Sequence, residues 1–279
     1  MQVRETFKKL MPMTTKSPTQ NDASANISSH SSLVNRLDLN QRYGHFDFHA
    51  WVFDRYDIRS GMDVLDVGCG NGAQALKAIR IVGSDGSISA TDISADSVAE
   101  LVRNAAVCPN VETRIGDMNE LETMIREHFK VKSYDFAHAT YSLAYASQPL
   151  KVLDAMRKAL KPGGRLGVTT PNDPNSLREL SKRVGCPLPR LDQVGQFPKH
   201  VLEPYFRSYF YKVTVHMQRN IIRIPTLEEV LQFFRATAYF DPKIEACLSD
   251  FVTTEIRQYG HFRFEKNNYM ILGEDQIAY

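Results

Sequence analysis

Three short strand-like runs of the 279-residue chain end in an aspartate: Asp66 in "DVLDVGCGNGAQA" (63–75), Asp92 in "ATDIS" and Asp117 in "IGDM". Behind the first come Gly68, Gly70 and Gly72 at alternate positions. Carboxylates accept hydrogen bonds from hydroxyl, amine and ammonium groups. Glycines let the backbone adopt positive φ and approach another group closely. Three in five residues exceed what a plain strand-to-helix turn requires. A dinucleotide site would space its glycines as G-x-G-x-x-G, with the acid about 20 positions later. Here the pattern is G-C-G-N-G with Asp66 ahead of it, a carboxylate that disfavours a pyrophosphate and favours an ammonium group.

Asp92 is placed to accept both hydroxyls of a ribose. A helix-capping role is the alternative, although Ser94 can fill it. Asp117 would lie near a purine with Met118 beside it; an aspartate after a strand also serves as a turn residue.

The elements that must position these residues follow from periodicity. From Met62 onward strand-like and helix-like segments alternate five times: "MDVLDVG" and "NGAQALKAIRIV", "SISATDIS" and "SADSVAELVRNAAVC", "VETRIGD" and "NELETMIREHF", "YDFAHAT" and "QPLKVLDAMRKAL", then "RLGVTT" after the stop "KPGG". Such alternation implies right-handed crossovers and a doubly wound, mostly parallel α/β sheet. Past Pro171 the rhythm changes. Residues 172–223 read as a cap inserted over the sheet, "TLEEVLQFFRATAY" as a helix, and "DFVTTEIRQYGHFRFEKNNYMILGED" as two strand-like runs closing the sheet in antiparallel fashion. Residues 1–32, rich in Ser, Thr, Asn and Pro from residue 11, read as a flexible tail, and 33–279 as one domain.

Composition narrows the classes. A net charge of +2 gives little support to nucleic-acid or membrane binding. Four cysteines without a CxxC pair argue against a disulfide framework or zinc site and fit reduced thiols in a cytoplasm. No apolar run is long enough to span a bilayer, and no signal peptide is read. His45, His49, His216 and His261 lack metal-ligand spacing, so no metal is expected.

"VLDVGCGNG", "ATDIS", "IGDM", "YDFAHATYSLAY" and "LKPGGRLGVTTPN" together resemble, in order over about residues 41–172, the motifs of the class I S-adenosylmethionine-dependent methyltransferases of small-molecule type. The resemblance implies a Rossmann-like fold and S-adenosylmethionine as cofactor. Gly68, Gly70 and Gly72 would pack against its methionine part, Asp66 would reach its ammonium group, and Asp92 its ribose. Ile93 would lie on the adenine, Asp117 would reach the adenine amine, and Met118 and Thr140 would border the site. "RYGHFDFHAWVFDRY" resembles a lid, whose Arg42 and Tyr43 would meet the cofactor carboxylate. The same segment reads independently as an amphipathic helix packing Phe48, Trp51 and Val52 on the sheet.

Methyl transfer from a sulfonium is an in-line displacement that positioning and water exclusion can drive, so no universal catalytic residue is required. Where the acceptor arrives protonated, Tyr141, His200 and Tyr209 are the candidate catalytic residues. "ATYS" departs from the Asn- and Pro-containing motif that serves amino-group acceptors in some families. His138, inside a strand, reads as core. Segment 176–223 holds nine basic and three acidic residues, and within it Tyr205 and Arg207 are the expected substrate contacts, Arg207 for an anionic acceptor. Solvated helix faces and aromatic packing are the plainer readings there. The partners expected are a small-molecule substrate and at most a second copy of the chain. Two other functions share these motifs: a cyclase or lyase releasing methylthioadenosine, and a cofactor-binding regulatory subunit.

Overall fold

The computed structural model describes residues 39, 42–44, 46–175, 178–179, 182, 185, 194–237 and 242–277. The expected tail over 1–32 and most of "SLRELSKRV" lie outside them. Helix α1 (Phe48–Tyr56) leads into β1 (Asp63–Val67), α2 (Ala73–Val82), β2 (Ser87–Asp92), α3 (Ala95–Asn104), β3 (Val111–Ile115), α4 (Leu121–Glu127), β4 (Tyr134–Thr140), α5 (Pro149–Lys158) and β5 (Leu160–Asn175). Then come α6 (Glu203–Tyr209), β6 (Phe210–Gln218), β7 (Ile221–Ile224), α7 (Leu227–Arg235), α8 (Pro242–Tyr259) and β8 (Phe262–Gln276).

The sheet order is β3-β2-β1-β4-β5-β8-β6, with β7 attached to β8 off this path. β1 to β5 pair in parallel, and β8 runs antiparallel between β5 and β6. The doubly wound sheet with an antiparallel C-terminal strand is therefore present. The inner strands β1, β2 and β4 are buried on both faces because helices cover both, whereas the edge strand β3 is only half-buried. One face buries Leu65, Val67, Ala137 and Val168 against α4, α5 and residues 197–210. The other buries Val64, Ile88, Ala90 and Phe136 under α1 and α2. Capping fixes where the helices begin: Ser94 Oγ accepts from the Ser97 amide, and Asp47 Oδ1 from the Ala50 amide at 2.9 Å.

Three sequence expectations change. Residues 172–223 do not form one cap. Residues 194–209 are a helical run with a π turn at Pro198–Leu202, packed in the sheet's own core, and residues 210–218 are its edge strand. This is the crossover that carries the chain from β5 to the parallel strand β6. The excursion instead comprises β7, α7 and α8 with the first residues of β8, around a separate core of Ile222, Ile224, Phe233, Phe234, Val252 and Phe264. Secondly, "DFVTTEIRQY" is the end of α8, not a strand. Its β-branched residues favour a strand locally, but burial of Val252 in this cap core decides for the helix. Thirdly, "KPGG" lies within the long β5, at a register shift between Tyr134 and Phe136 of the paired β4.

Because β8 is antiparallel, its N-terminal residues extend past the carboxyl ends of the parallel strands. Asn172 pairs with Asn267 and Asn175 with Lys266, while on the other side of β8 the β6 ladder, up to Gln218↔Asn268, continues through the Lys266 amide donating to the Asn220 carbonyl into β7, from Ile221↔Glu265 to Ile224↔Phe262. The cap thus stands over the carboxyl edge of the sheet.

Candidate active site

The glycine loop joins β1 to α2 at that carboxyl edge. Gly68, Gly70 and Gly72 all have positive φ, at 74°, 55° and 83°. A Cβ on Gly68 would lie 2.2 Å from Ser142 Cβ and 3.4 Å from Met118 Cε. One on Gly72 would lie 2.3 Å from Leu101 Cδ1. The Thr91 carbonyl accepts from the amides of both Gly68 (2.7 Å) and Cys69 (3.0 Å), and the Cys69 carbonyl from that of Gly72 (3.0 Å). The Gly70 amide donates to Asp92 Oδ2 at 2.8 Å. Four loop amides are thereby taken within the protein. A phosphate cradle needs such amides free.

Asp66 is buried at the floor of the loop, its neighbour in register being His138 of β4. Asp66 Oδ1 lies 3.6 Å from His138 Nδ1, too far for a hydrogen bond, and Asp66 Oδ2 is buried without a partner. Burial first and the charge of Asp92 second push the Asp66 carboxyl up to about 8. Burial pushes His138 down to about 3. Both effects disfavour ionisation, so this contact joins two neutral groups in the ligand-free protein. His138 is core, as its position in the strand implied, but core that abuts the site. Thr140 Oγ1 lies 3.3 Å from His138 Nδ1 and shares a hydrogen bond with Tyr56 Oη at 2.9 Å; Tyr56 Oη meets Thr169 Oγ1 at 2.8 Å. Thr140 is thus part of a polar line beneath the site.

Asp92 Oδ1 accepts from the Ser94 amide at 2.9 Å, so each of its oxygens already holds one backbone amide. Each keeps acceptor capacity for another donor. Ile93 next to it is 59% exposed, an apolar side chain turned outward at the strand tip. Asp117 Oδ1 accepts from the backbone and side-chain amides of Asn119, which is the turn role weighed for it.

Tyr141 follows β4 with φ 58°, a left-handed conformation that costs a tyrosine about 1–2 kcal/mol. Its hydroxyl donates to Asn268 Oδ1 of β8, Phe48 of α1 meets its ring edge-on at 5.4 Å, and Lys266 Nζ stands 4.8 Å over that ring. On the other side of the loop, His49 Nδ1 of α1 meets Gln74 Oε1 at 2.9 Å. Helix α1 therefore spans from the start of α2 to the tip of β4.

Other candidates are placed elsewhere. Arg42 and Tyr43 both donate to Glu229 Oε1 of α7, at 2.8 and 2.7 Å, and Gly44 bridges Ile222. They join the lid to the cap. Tyr205 donates to Asp154 and accepts from Arg157 on α5, and the Arg157 guanidinium lies 4.4 Å over the Tyr209 ring. The Tyr209 carbonyl accepts from the Ile277 amide, at the far end of β8. Tyr209 thus occupies the sheet edge opposite the glycine loop and is no catalytic candidate. Arg207 is largely exposed and pairs with Glu203 at 3.7 Å on its own helix. His200 is exposed on the π turn. These positions support the plainer reading of packing and solvated faces for this helix. The sequence motifs do not mark Asn268, Lys266 or Phe48 as site residues. The break in "FRFEKNNYMIL", where a buried strand carries consecutive polar residues, is the signal that points to the first two. Among the described residues no group of three or more His, Cys, Asp and Glu could hold a metal ion, and no helix is long and apolar enough to cross a membrane.

The model of a family described as "Methyltransferase domain" matches residues 58–202. The Nocamycin O-methyltransferase of Saccharothrix syringae is 35% identical over 140 residues, 48% of each chain. The malonyl-[acyl-carrier protein] O-methyltransferase of Halalkalibacterium halodurans is 28% identical over 178 residues, 60% of this chain and 62% of that one. The chain thus spans about half to three-fifths of the length of these curated relatives. A candidate methyltransferase from Bacillus halodurans C-125, solved by crystallography, superimposes with a TM-score of 0.56 at 15% identity, covering 82% of this chain and 99% of that one. With its family model matching more than half of the residues, the chain belongs to the methyltransferase domain family, with S-adenosylmethionine as cofactor.

Proposed function

We propose that the chain transfers the methyl group of S-adenosylmethionine to an oxygen of a small-molecule acceptor. The observation that carries this reading is Asp66 Oδ2, a buried carboxyl oxygen without a partner, at the floor of a loop whose amides are not offered to a phosphate. A zwitterionic nucleoside with an ammonium group and no phosphates fits that chemistry. Asp66 would hold the ammonium, Asp92 the ribose hydroxyls, and Ile93, Asp117 and Met118 the adenine. When bound, this group supplies a methyl on a positively charged sulfur.

The chain's own part is to position and to exclude water. Gly68 lets the backbone lie against Ser142, whose hydroxyl donates to the Val67 carbonyl, so that the tip of β4 and the loop form one wall. Helix α1 covers the wall through His49 and Phe48. Tyr141 donates its proton to Asn268, and burial raises its pKa far above the ordinary value; it orients neighbours rather than acting as a base. The names of both O-methylating relatives, and the departure of "ATYS" from the motif for amino-group acceptors, support an oxygen acceptor.

Two measurements test the reading. S-adenosylhomocysteine should bind in calorimetric titration. Incubation with methyl-labelled S-adenosylmethionine and a metabolite extract, followed by mass spectrometry, should release adenosylhomocysteine and a labelled ether or ester. Release of methylthioadenosine instead would exclude transfer.

A further inference from the structure

The geometry points to a binding site for an ionised oxygen of a flat acceptor, a phenolate or enolate, formed by Asn268 Nδ2 and Lys266 Nζ beside Tyr141. This rests on the methyl-transfer reading above and adds the charge state and shape of the acceptor.

Asn268 is 2% exposed, and its Nδ2 is buried with no partner although its Oδ1 is held by the Tyr141 hydroxyl. A buried amide nitrogen left unmatched is destabilising. The tyrosine that fixes this amide is itself in a left-handed conformation. The arrangement therefore holds two N–H groups in one orientation, at a cost in both residues. Lys266 lies two residues earlier on the same face of β8, its ammonium over the Tyr141 ring. Both donors carry positive character, and a buried anion is stable only where charge-assisted hydrogen bonds receive it. The rings of Tyr141 and Phe48, edge to face at 5.4 Å, supply the flat apolar surface. The cluster borders the cofactor loop, since Ser142, next to Tyr141, packs on Gly68.

The chemistry is consistent with this assignment. The acceptor gives up its proton to solvent on binding. Its oxygen lone pair then forms the new O–CH3 bond as the S–CH3 bond breaks, and the pair from that bond stays on sulfur as a neutral thioether. An anion and a cation become two neutral products, so donors that favour the anion do the work a general base would otherwise do.

The test uses 4-nitrophenol, which ionises near neutral pH and absorbs in the visible only as the anion. Protein saturated with S-adenosylhomocysteine is titrated into the probe at mildly acidic pH. A saturable anion band should appear, and its affinity should fall about tenfold or more in Lys266→Met and in Asn268→Leu, since each removes one charge-assisted or buried donor. Asn268→Asp should abolish it by like-charge repulsion. Adenosylhomocysteine affinity measured on the same variants verifies that each is folded. No saturable band in the wild type, or a band undiminished in variants that still bind adenosylhomocysteine, overturns this site. Failure of the wild type to bind adenosylhomocysteine would instead remove the methyl-transfer reading on which it rests.

Discussion

The glycine-loop half of the molecule, β1 to β4 with α2 to α4, and the cap half, β7, α7, α8 and the start of β8, solve different problems. In the first, backbone shapes the proposed cofactor wall, and short-range geometry dictates it: positive φ at three glycines, amides closed onto Thr91 and Asp92, and an acid at each of three strand tips. In the second, side chains do the shaping, brought together from residues far apart in the chain, such as Tyr141 with Asn268 or Tyr43 with Glu229. The first half is thus intolerant of small changes of shape. The second is open to retuning through single side chains.

Substitutions can break this contrast. The largest effect is expected from Gly68→Val. The added atoms collide with Ser142 and the backbone is held at φ 74°, together costing about 3 kcal/mol or more of stability. Thermal unfolding should show that loss, and adenosylhomocysteine binding should vanish. A variant that binds normally would mean the loop is not the ligand's wall.

Asp92→Ala comes next. It removes the acceptor for two backbone amides as well as the proposed ribose partner, so stability and cofactor affinity should fall together, each by about 1–3 kcal/mol. Loss of stability alone, with affinity kept, would assign Asp92 to the loop and not to the ligand.

Asp66 sharpens the contrast through pH. Its folded pKa of about 8 lies above the ordinary 3.8, so the folded state holds the proton more tightly. That contribution to stability is complete below 3.8 and is lost as pH rises through 8. His138, lowered from 6.5 to about 3, has the opposite slope below 6.5. Between about 6.5 and 8 only Asp66 acts, and ligand-free stability should fall by up to about 1.4 kcal/mol per pH unit. Asp66→Asn should flatten that interval, while in the wild type adenosylhomocysteine affinity rises across it as the carboxylate forms. Melting curves taken every half unit, with and without ligand, check both.

The smallest effect belongs to the cap. Glu229→Gln weakens the tie to Arg42 and Tyr43, partly exposed contacts worth up to about 1 kcal/mol. Calorimetry should find adenosylhomocysteine affinity within about threefold of wild type. A loss comparable to that of Asp92→Ala would place the cap's contacts within the cofactor site.

The same contrast explains what was legible in the sequence. Asp66, Asp92 and the glycines could be read because the loop, its strand and its helix are contiguous, and a local motif carries its own geometry. Arg207 and Tyr209 were misplaced for a reason that chain order hides. The helical run from 194 descends from the neighbourhood of Asp173 to the opposite edge of the sheet, so its basic and aromatic residues end far from the strand tips. Asn268 and Lys266 were passed over because two asparagines in a strand look like a weak strand. Only pairing with β5 reveals that they stand at the site end, where buried polar groups need a use.

Strand β8 serves both halves at once: Asn268–Gly273 is clamped between β5 and β6, while Phe262–Glu265 is paired with β7. A strand hydrogen-bonded on both sides resists bending, so the cap cannot swing as a free flap. Lys266 is held on both sides, paired with Asn175 of β5 and donating its amide to the Asn220 carbonyl at 2.8 Å, so the backbone is pinned where cap and sheet meet. The residue that carries the ammonium over Tyr141 is thus also the one that ties the cap to the sheet, and the stiffness of the cap and the placing of that ammonium have one origin.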